Sequence, residues 1–237
     1  MKTTISHDEV EKFSRIADEW WDLNGKFKPL HEFNPLRLTY IRNQIEEKIG
    51  TVTDIKLLDI GCGGGLLSEP LTRMGAIVTG ADASENNIKT ALLHAEKSHL
   101  NIEYLTTTAE ALAVERPAYY DVIINMEVIE HVADTQLFIN SCFKMLKPQG
   151  IMIIATLNRT LKSYLFAIIG AEYILRWLPI GTHDWKKFLT PADIHNLCQH
   201  HATLIDTAGA SFNPMKRQWS QTQDLDVNYM VVYEKSS

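Results

Sequence analysis

The densest chemical signal in the chain is Leu57-Leu58-Asp59-Ile60-Gly61-Cys62-Gly63-Gly64-Gly65, an apolar run that ends in glycines where a helix should begin. Glycines at such a turn let a ligand approach the backbone closely. The dinucleotide fingerprint G-x-G-x-x-G wants glycine at its sixth position, where Leu66 stands here, and Asp59 also differs from a typical NAD strand. Asp82 closes the next apolar run, 21 residues after Gly61. At that distance a carboxylate reaches both hydroxyls of an adenosine ribose, its two oxygens meeting two adjacent donors. By itself such an aspartate caps a helix; coupled to the glycine loop it points to a nucleoside.

A second group, Glu127, Glu130 and His131, has the spacing i, i+3, i+4. That spacing brings three polar groups to one side of a helix start. Two carboxylates and an imidazole suit a divalent cation. Alternatively His131 is a general base, or the group caps the helix and packs beside the ligand. The residues alone leave these three readings open. His195, His200 and His201 do not share a helix face. A phosphate-loop lysine, a catalytic serine motif and a metalloprotease HExxH are absent from the sequence.

These residues need elements to hold them. Short apolar runs at 56–60, 77–81, 102–105, 122–126 and 151–157 alternate with helix-like spacing at 66–74, 85–98 and 135–146. Runs apolar at consecutive positions suit strands buried on both faces, and the alternation predicts a doubly wound α/β sheet. A further helix is expected at 191–200, with strands at 203–207 and 227–234. The first 50 residues read as a helical cover. Ser6 and Glu9 form a capping box ahead of Val10, Phe13, Ala17, Trp20 and Trp21, and Asn34-Pro35 offers a second helix start leading into 36–48. The expected organisation is a helical cover over 1–50 and a ligand-binding domain over 51–237, interrupted by an insertion at 158–190.

Composition bounds the function. Of 237 residues 45% are apolar and 22% charged, which is ordinary for a globular chain and argues against disorder. Lysine and arginine number 23 against 29 acids, a formal charge of −6, so no nucleic-acid partner is expected. Three scattered cysteines, Cys62, Cys142 and Cys198, suggest neither a disulfide framework nor a cysteine zinc site. The N-terminal residues have no apolar signal core, and a cytoplasmic location is expected.

Asp59-Ile60-Gly61-Cys62-Gly63-Gly64-Gly65 with Asp82 resembles the class I S-adenosylmethionine-dependent methyltransferases. So do 121–126, Glu127-Val128-Ile129-Glu130-His131-Val132 and Leu146-Lys147-Pro148-Gln149-Gly150. The flanks narrow the likeness. Trp20-Trp21-Asp22-Leu23, Asn34-Pro35-Leu36-Arg37, Thr156-Leu157-Asn158-Arg159, Gly181-Thr182-His183-Asp184 and Val227-Asn228-Tyr229-Met230 resemble the ubiquinone-biosynthesis O-methyltransferase family. The resemblance covers nearly the whole chain. It implies a Rossmann-like sheet of seven strands, the last antiparallel, with helices on both faces. It implies methyl transfer from S-adenosylmethionine to ring hydroxyls of polyprenylated catechols and phenols, at both O-methylation steps, including 3-demethylubiquinol to ubiquinol.

Carried over position by position, the resemblance makes Arg37, Gly61, Gly63, Asp82 and Met126 cofactor contacts. A guanidinium at Arg37 suits the carboxylate of the methionyl end. Glu127, Glu130 and His131 would organise the acceptor, either through a divalent cation (Mg or Zn) gripping two catechol oxygens or with His131 as base. Partners implied are other enzymes of the ubiquinone pathway. Another small-molecule acceptor, a non-catalytic adenosyl-binding module and an NAD-type oxidoreductase are the alternatives. The insertion at 158–190 carries five basic residues against two acids among many apolar ones. It reads as an interfacial helix or lid touching anionic lipid at the inner face of the cytoplasmic membrane, or as a helix folded onto the core.

Overall fold

A computed structural model of the chain describes residues 3–164, 185–213, 215–216 and 218–237. Most of the expected insertion, 165–184, lies outside the described residues. The strands are β1 (Lys56–Ile60), β2 (Ile77–Asp82), β3 (Glu103–Thr106), β4 (Tyr120–Met126), β5 (Leu146–Leu157), β6 (Ala202–Asn213), β7 (Gln218–Thr222) and β8 (Asn228–Lys235). They form one sheet in the order β3-β2-β1-β4-β5-β8-β6-β7. The first five pair in parallel, and β8 runs antiparallel between β5 and β6.

The apolar runs account for this arrangement. Leu57, Val78, Val122, Ile124, Ile151 and Ile153 pack one face of the sheet against α2 (Lys28–Ile49), α3 (Ser68–Arg73) and α4 (Glu85–Lys97). Leu58, Ile60, Ile123, Met152 and Ile154 pack the other face against α5 (Ala109–Glu115), α6 (Thr135–Met145) and α8 (Pro191–Cys198). Between β5 and α8 lies the single turn α7 (Leu161–Ser163). Successive side chains of a strand point to opposite faces, so a strand covered on both sides must be apolar at every position.

Three local expectations are corrected. The sheet has eight strands, not seven, because β6 runs on to Asn213 and its outer half pairs with β7. The β7 residues Gln-Trp-Ser-Gln-Thr have no apolar alternation, being held at a sheet edge by Trp219 against Phe33 and Phe212. Helix α2 begins at Lys28, with Pro29 in its first turn and Pro35 inside it. Asn34 is not its cap: the amide donates to the Leu66 carbonyl (3.2 Å) and accepts from Arg37. Finally, Ser6 stands at the N-cap of α1 (His7–Ser14) without a side-chain cap bond. Glu9 is turned away to partners described below. The helix stops before Ala17, and a short 3-10 turn, Ala17–Glu19, then delivers Trp20.

Among the described residues, no helix is long and apolar enough to cross a membrane.

Candidate active site

The strand order reverses between β1 and β4, and ligands of open α/β sheets settle in the crevice outside such a switch point. A cavity lies there. Gly61, Gly63, Asp82 and Asn87 line one side, Glu127, Val128 and His131 another, and Thr4, Glu9, Phe13 and Trp20 of the N-terminal segment roof it.

The loop after β1 needs its glycines. Gly61, Gly63 and Gly65 have φ of +76°, +54° and +86°, in the left-handed region that side chains disfavour. A Cβ on Gly61 would come within 2.4 Å of Val128, and one on Gly63 within 2.4 Å of Trp20. The loop is tied back to β2, since the amides of Gly61 and Cys62 donate to the Ala81 carbonyl at 2.7 and 3.1 Å. Asp82 ties it again. Its carboxylate accepts from the Gly63 amide (3.0 Å), the Ser84 amide (2.8 Å) and the Asn87 side-chain NH2 (3.2 Å). Burial pushes the Asp82 carboxyl up, and these three donors oppose the shift.

Arg37, Met126 and Glu130 are buried and do not line this cavity. Arg37 is 3% exposed, and its guanidinium lies over the Phe33 ring at 5.0 Å and donates to Asn34. Burial brings its pKa down to about 10, against the opposing pull of Glu127 and Asp59. Its Nε has no hydrogen-bond partner. An orphaned donor on a buried cation, beside a loop whose glycines clear the backbone, fits the carboxylate and nucleoside of S-adenosylmethionine. Met126 ends β4 inside the core. Glu127 follows with φ of +62°, a conformation rare for a side-chain-bearing residue, and that turn delivers it to the cavity.

The acidic group and the histidine are not brought together as a metal cage. Burial and the neighbouring Glu127 push the Glu130 carboxyl well above the usual range, and neither of its oxygens has a hydrogen-bond partner. His131 turns the other way. Its Nδ1 meets Glu9 Oε2 at 3.1 Å, and its ring sits edge-on to Phe13 at 5.2 Å. Among the described residues, no three His, Cys, Asp or Glu side chains form a group able to hold a metal ion. The expected ligand set Glu127, Glu130 and His131 is therefore not assembled in this structure.

Glu9, Trp20, Asn34, Asn87 and Lys187 were not visible as site residues in the sequence. Glu9 also accepts from Lys187 at 2.9 Å and lies 3.7 Å from Lys12. The His131 hydrogen bond, with help from these lysines, holds its carboxyl down at about 2. Its local sequence signal is that of a cap, because a glutamate three residues after a serine has that meaning within one helix turn.

A doubly wound sheet with a glycine loop after β1, an acid closing β2 and an antiparallel β8 beside β5 has the fold of the class I S-adenosylmethionine-dependent methyltransferases. Residues 58–154 match the family model described as a methyltransferase domain. Solved structures agree on the fold. Magnesium protoporphyrin IX methyltransferase from Synechocystis PCC 6803 with bound SAM superposes with a TM-score of 0.66 at 15% identity, covering 99% of this chain and 100% of that one. The PH0226 protein of Pyrococcus horikoshii OT3 gives 0.66 at 19%, over 95% and 99%. Sequence relatives are nearer. The ubiquinone biosynthesis O-methyltransferase of Bartonella tribocorum is 54% identical, over 99% of this chain and 98% of the relative. That of Mesorhizobium japonicum is 52% identical, over 100% and 98%. The chain belongs to the ubiquinone biosynthesis O-methyltransferase family.

Proposed function

We propose that the protein transfers the methyl group of S-adenosylmethionine to ring hydroxyls of polyprenylated catechol and phenol intermediates, at both O-methylation steps of ubiquinone synthesis. The observation that carries this reading is that the glycine loop, Asp82 and His131 line one cavity. Bound S-adenosylmethionine supplies a methyl on a sulfonium that is already strongly electrophilic. The chain supplies alignment and a proton acceptor. Gly61 and Gly63 clear space for the cofactor, Asp82 takes its ribose and Arg37 its carboxylate. Met126, buried at the end of β4, shapes the floor beneath the adenosine. Glu9 accepts the Nδ1 hydrogen of His131, so Nε2 is the nitrogen that takes the proton from the acceptor hydroxyl. Glu127 faces the same space.

A second reading gives the acceptor a divalent cation held by Glu127, Glu130 and His131. Two carboxyl groups placed side by side in a buried position favour it, because a cation relieves their mutual repulsion. It would use His131 Nε2, with Nδ1 still donating to Glu9. A methyl-transfer assay on short-chain catechol analogues, with and without a chelator, tests both readings. Transfer that survives chelation supports His131 as base. Transfer lost on chelation and restored by Mg or Zn supports the cation, and no transfer to any catechol removes the proposed activity.

Lipid contact through 158–190 is part of the proposal, with a narrower basis than charge. Described basic residues there already have acidic partners: Arg159 with Asp193 (2.9 Å), Lys162 with Asp224 and Asp226, and Lys187 with Glu9. What supports contact is apolar: Leu161 is 71% exposed, and Tyr164 is exposed beside it. Flotation with anionic and neutral liposomes tests it, and failure to float with either removes the membrane part of the reading. Association with other pathway enzymes rests on family membership, and co-elution from a native extract checks it.

A further inference from the structure

Trp20 belongs to the N-terminal cover, 67 residues before Asn87, yet its indole N–H donates to the Asn87 side-chain oxygen at 2.9 Å in a buried contact. The indole lies over Gly63 and Gly64, where a Cβ would approach it to 2.4 and 2.5 Å, and it stacks on Phe27 with ring centres 3.7 Å apart. Trp21 adds a second clasp, donating to the Gly64 carbonyl at 2.9 Å while stacking on His94 at 3.4 Å.

An indole nitrogen can only donate. The Asn87 atom facing it must therefore be the carbonyl oxygen, which leaves the NH2 for Asp82, the contact seen at 3.2 Å. Without the indole, Asn87 keeps only its bond to the carboxylate, and a side chain held at one end is placed less firmly than one held at both. An ionised carboxylate has roughly four acceptor positions, and Gly63, Ser84 and Asn87 occupy three of them on Asp82. How Asp82 is aimed therefore depends in part on a side chain fixed by the N-terminal cover.

We propose that Trp20 is a positioning residue for the cofactor: through Asn87 it fixes Asp82 for the ribose, so that closure of the N-terminal cover and retention of the nucleoside are one event. The inference rests on the assignment of Asp82 to the ribose. Nothing in the cover's own sequence announces it, because a tryptophan on an apolar stripe reads as core.

Calorimetric titration with S-adenosylhomocysteine, which binds without reacting, tests it on the full chain. Trp20→Phe keeps a ring over the glycines and removes the N–H. It is expected to raise Kd about three- to tenfold, the worth of one neutral hydrogen bond. Asn87→Ala should weaken binding at least as much, and the double variant should bind no more weakly than Asn87→Ala alone. Wild-type affinity in Trp20→Phe, or additive losses in the double variant, would overturn the relay. Should Trp20→Phe fail to fold, Asn87→Ala decides, with unchanged affinity counting against the proposal. Asp82→Ala separates the two levels. If it binds as wild type, the ribose assignment fails and the relay with it. If it loses binding while Trp20→Phe does not, only the relay fails.

Discussion

At the residue scale, the chemistry depends on where two carboxyl groups point. Glu9 is turned from its own helix to His131 and Lys187, where an ionised acceptor serves two donors and exceeds the value of a cap, typically about 1 kcal/mol. His131→Ala is expected to lower kcat by about 10²- to 10⁴-fold, the usual contribution of a general base, with S-adenosylhomocysteine affinity unchanged by calorimetry. Glu9→Gln should give a smaller loss in kcat with the same unchanged affinity. Asp59 gives a pH expectation. It is 3% exposed and accepts from Ser68 at 2.6 Å, and burial raises its pKa from 3.8 to about 6, with Arg37 opposing the rise. The folded state therefore binds a proton that the unfolded state releases between those two values. Its contribution weakens the fold as pH climbs from about 4 to about 6, and the penalty is complete above that range. Asp59→Asn should flatten this part of the profile in denaturant titrations at stepped pH. A wild-type slope in the variant would contradict the assignment.

At the element scale, the loop between β1 and α3 is shaped by neighbours on both sides. Val128 comes from the chain beyond β4, and Trp20 comes from the cover. Gly63→Ala meets two obstacles, a φ of +54° and a Cβ 2.4 Å from the indole. The expected loss is about 1–3 kcal/mol of stability, read as a lower Tm, together with weaker S-adenosylhomocysteine binding. Helix α2 shows a related compromise. Pro35 lies inside it without an N–H to continue the ladder, while Asn34 and Arg37 on the same turns reach the glycine loop and the buried acids. A helix with a proline in its interior is held by tertiary contacts, and here they include Tyr40 and Gln44 to Asp206 at 2.7 and 2.9 Å.

At the scale of the whole molecule, the sheet is a fixed platform on which the cover is anchored by Ala17, Trp20 and Phe27 packed against Leu66, while α1 ahead of them is held more lightly. No residue of α1 is buried. The chain's start is strapped down by Thr3 and Thr4 to Glu110 and by the Thr4 carbonyl accepting from Ala133. Elements held by exposed hydrogen bonds open at lower free energy than core strands. Amides of α1 should therefore exchange with deuterium well before those of β4 and β5, and S-adenosylhomocysteine should slow α1 selectively. Equal protection of α1 and β4 without ligand would contradict this view of the cover.

Read along the chain, the strands β1 to β5, the glycine loop, Asp82 and the family were all legible, because each is a local pattern. Consecutive apolar residues mean burial on both faces, and glycines at a strand end mean a close approach. The edge strand β7 was not legible, since an edge strand of polar residues takes its conformation from the partner it pairs with. Nor was the start of α2, where Asn34 carries a cap's signature but is used by Leu66 and Arg37. The site divided in the same way. Gly61, Gly63, Asp82, Glu127 and His131, singled out in the sequence, line the cavity, while Glu9, Trp20 and Asn87 join them only through the fold. Which of them face one another was decided only by tertiary structure: His131 turns to Glu9, 122 residues away, rather than to Glu130 beside it. Hydrogen bonds and ion pairs are formed between atoms adjacent in space, and a sequence holds no record of that adjacency until the chain has folded.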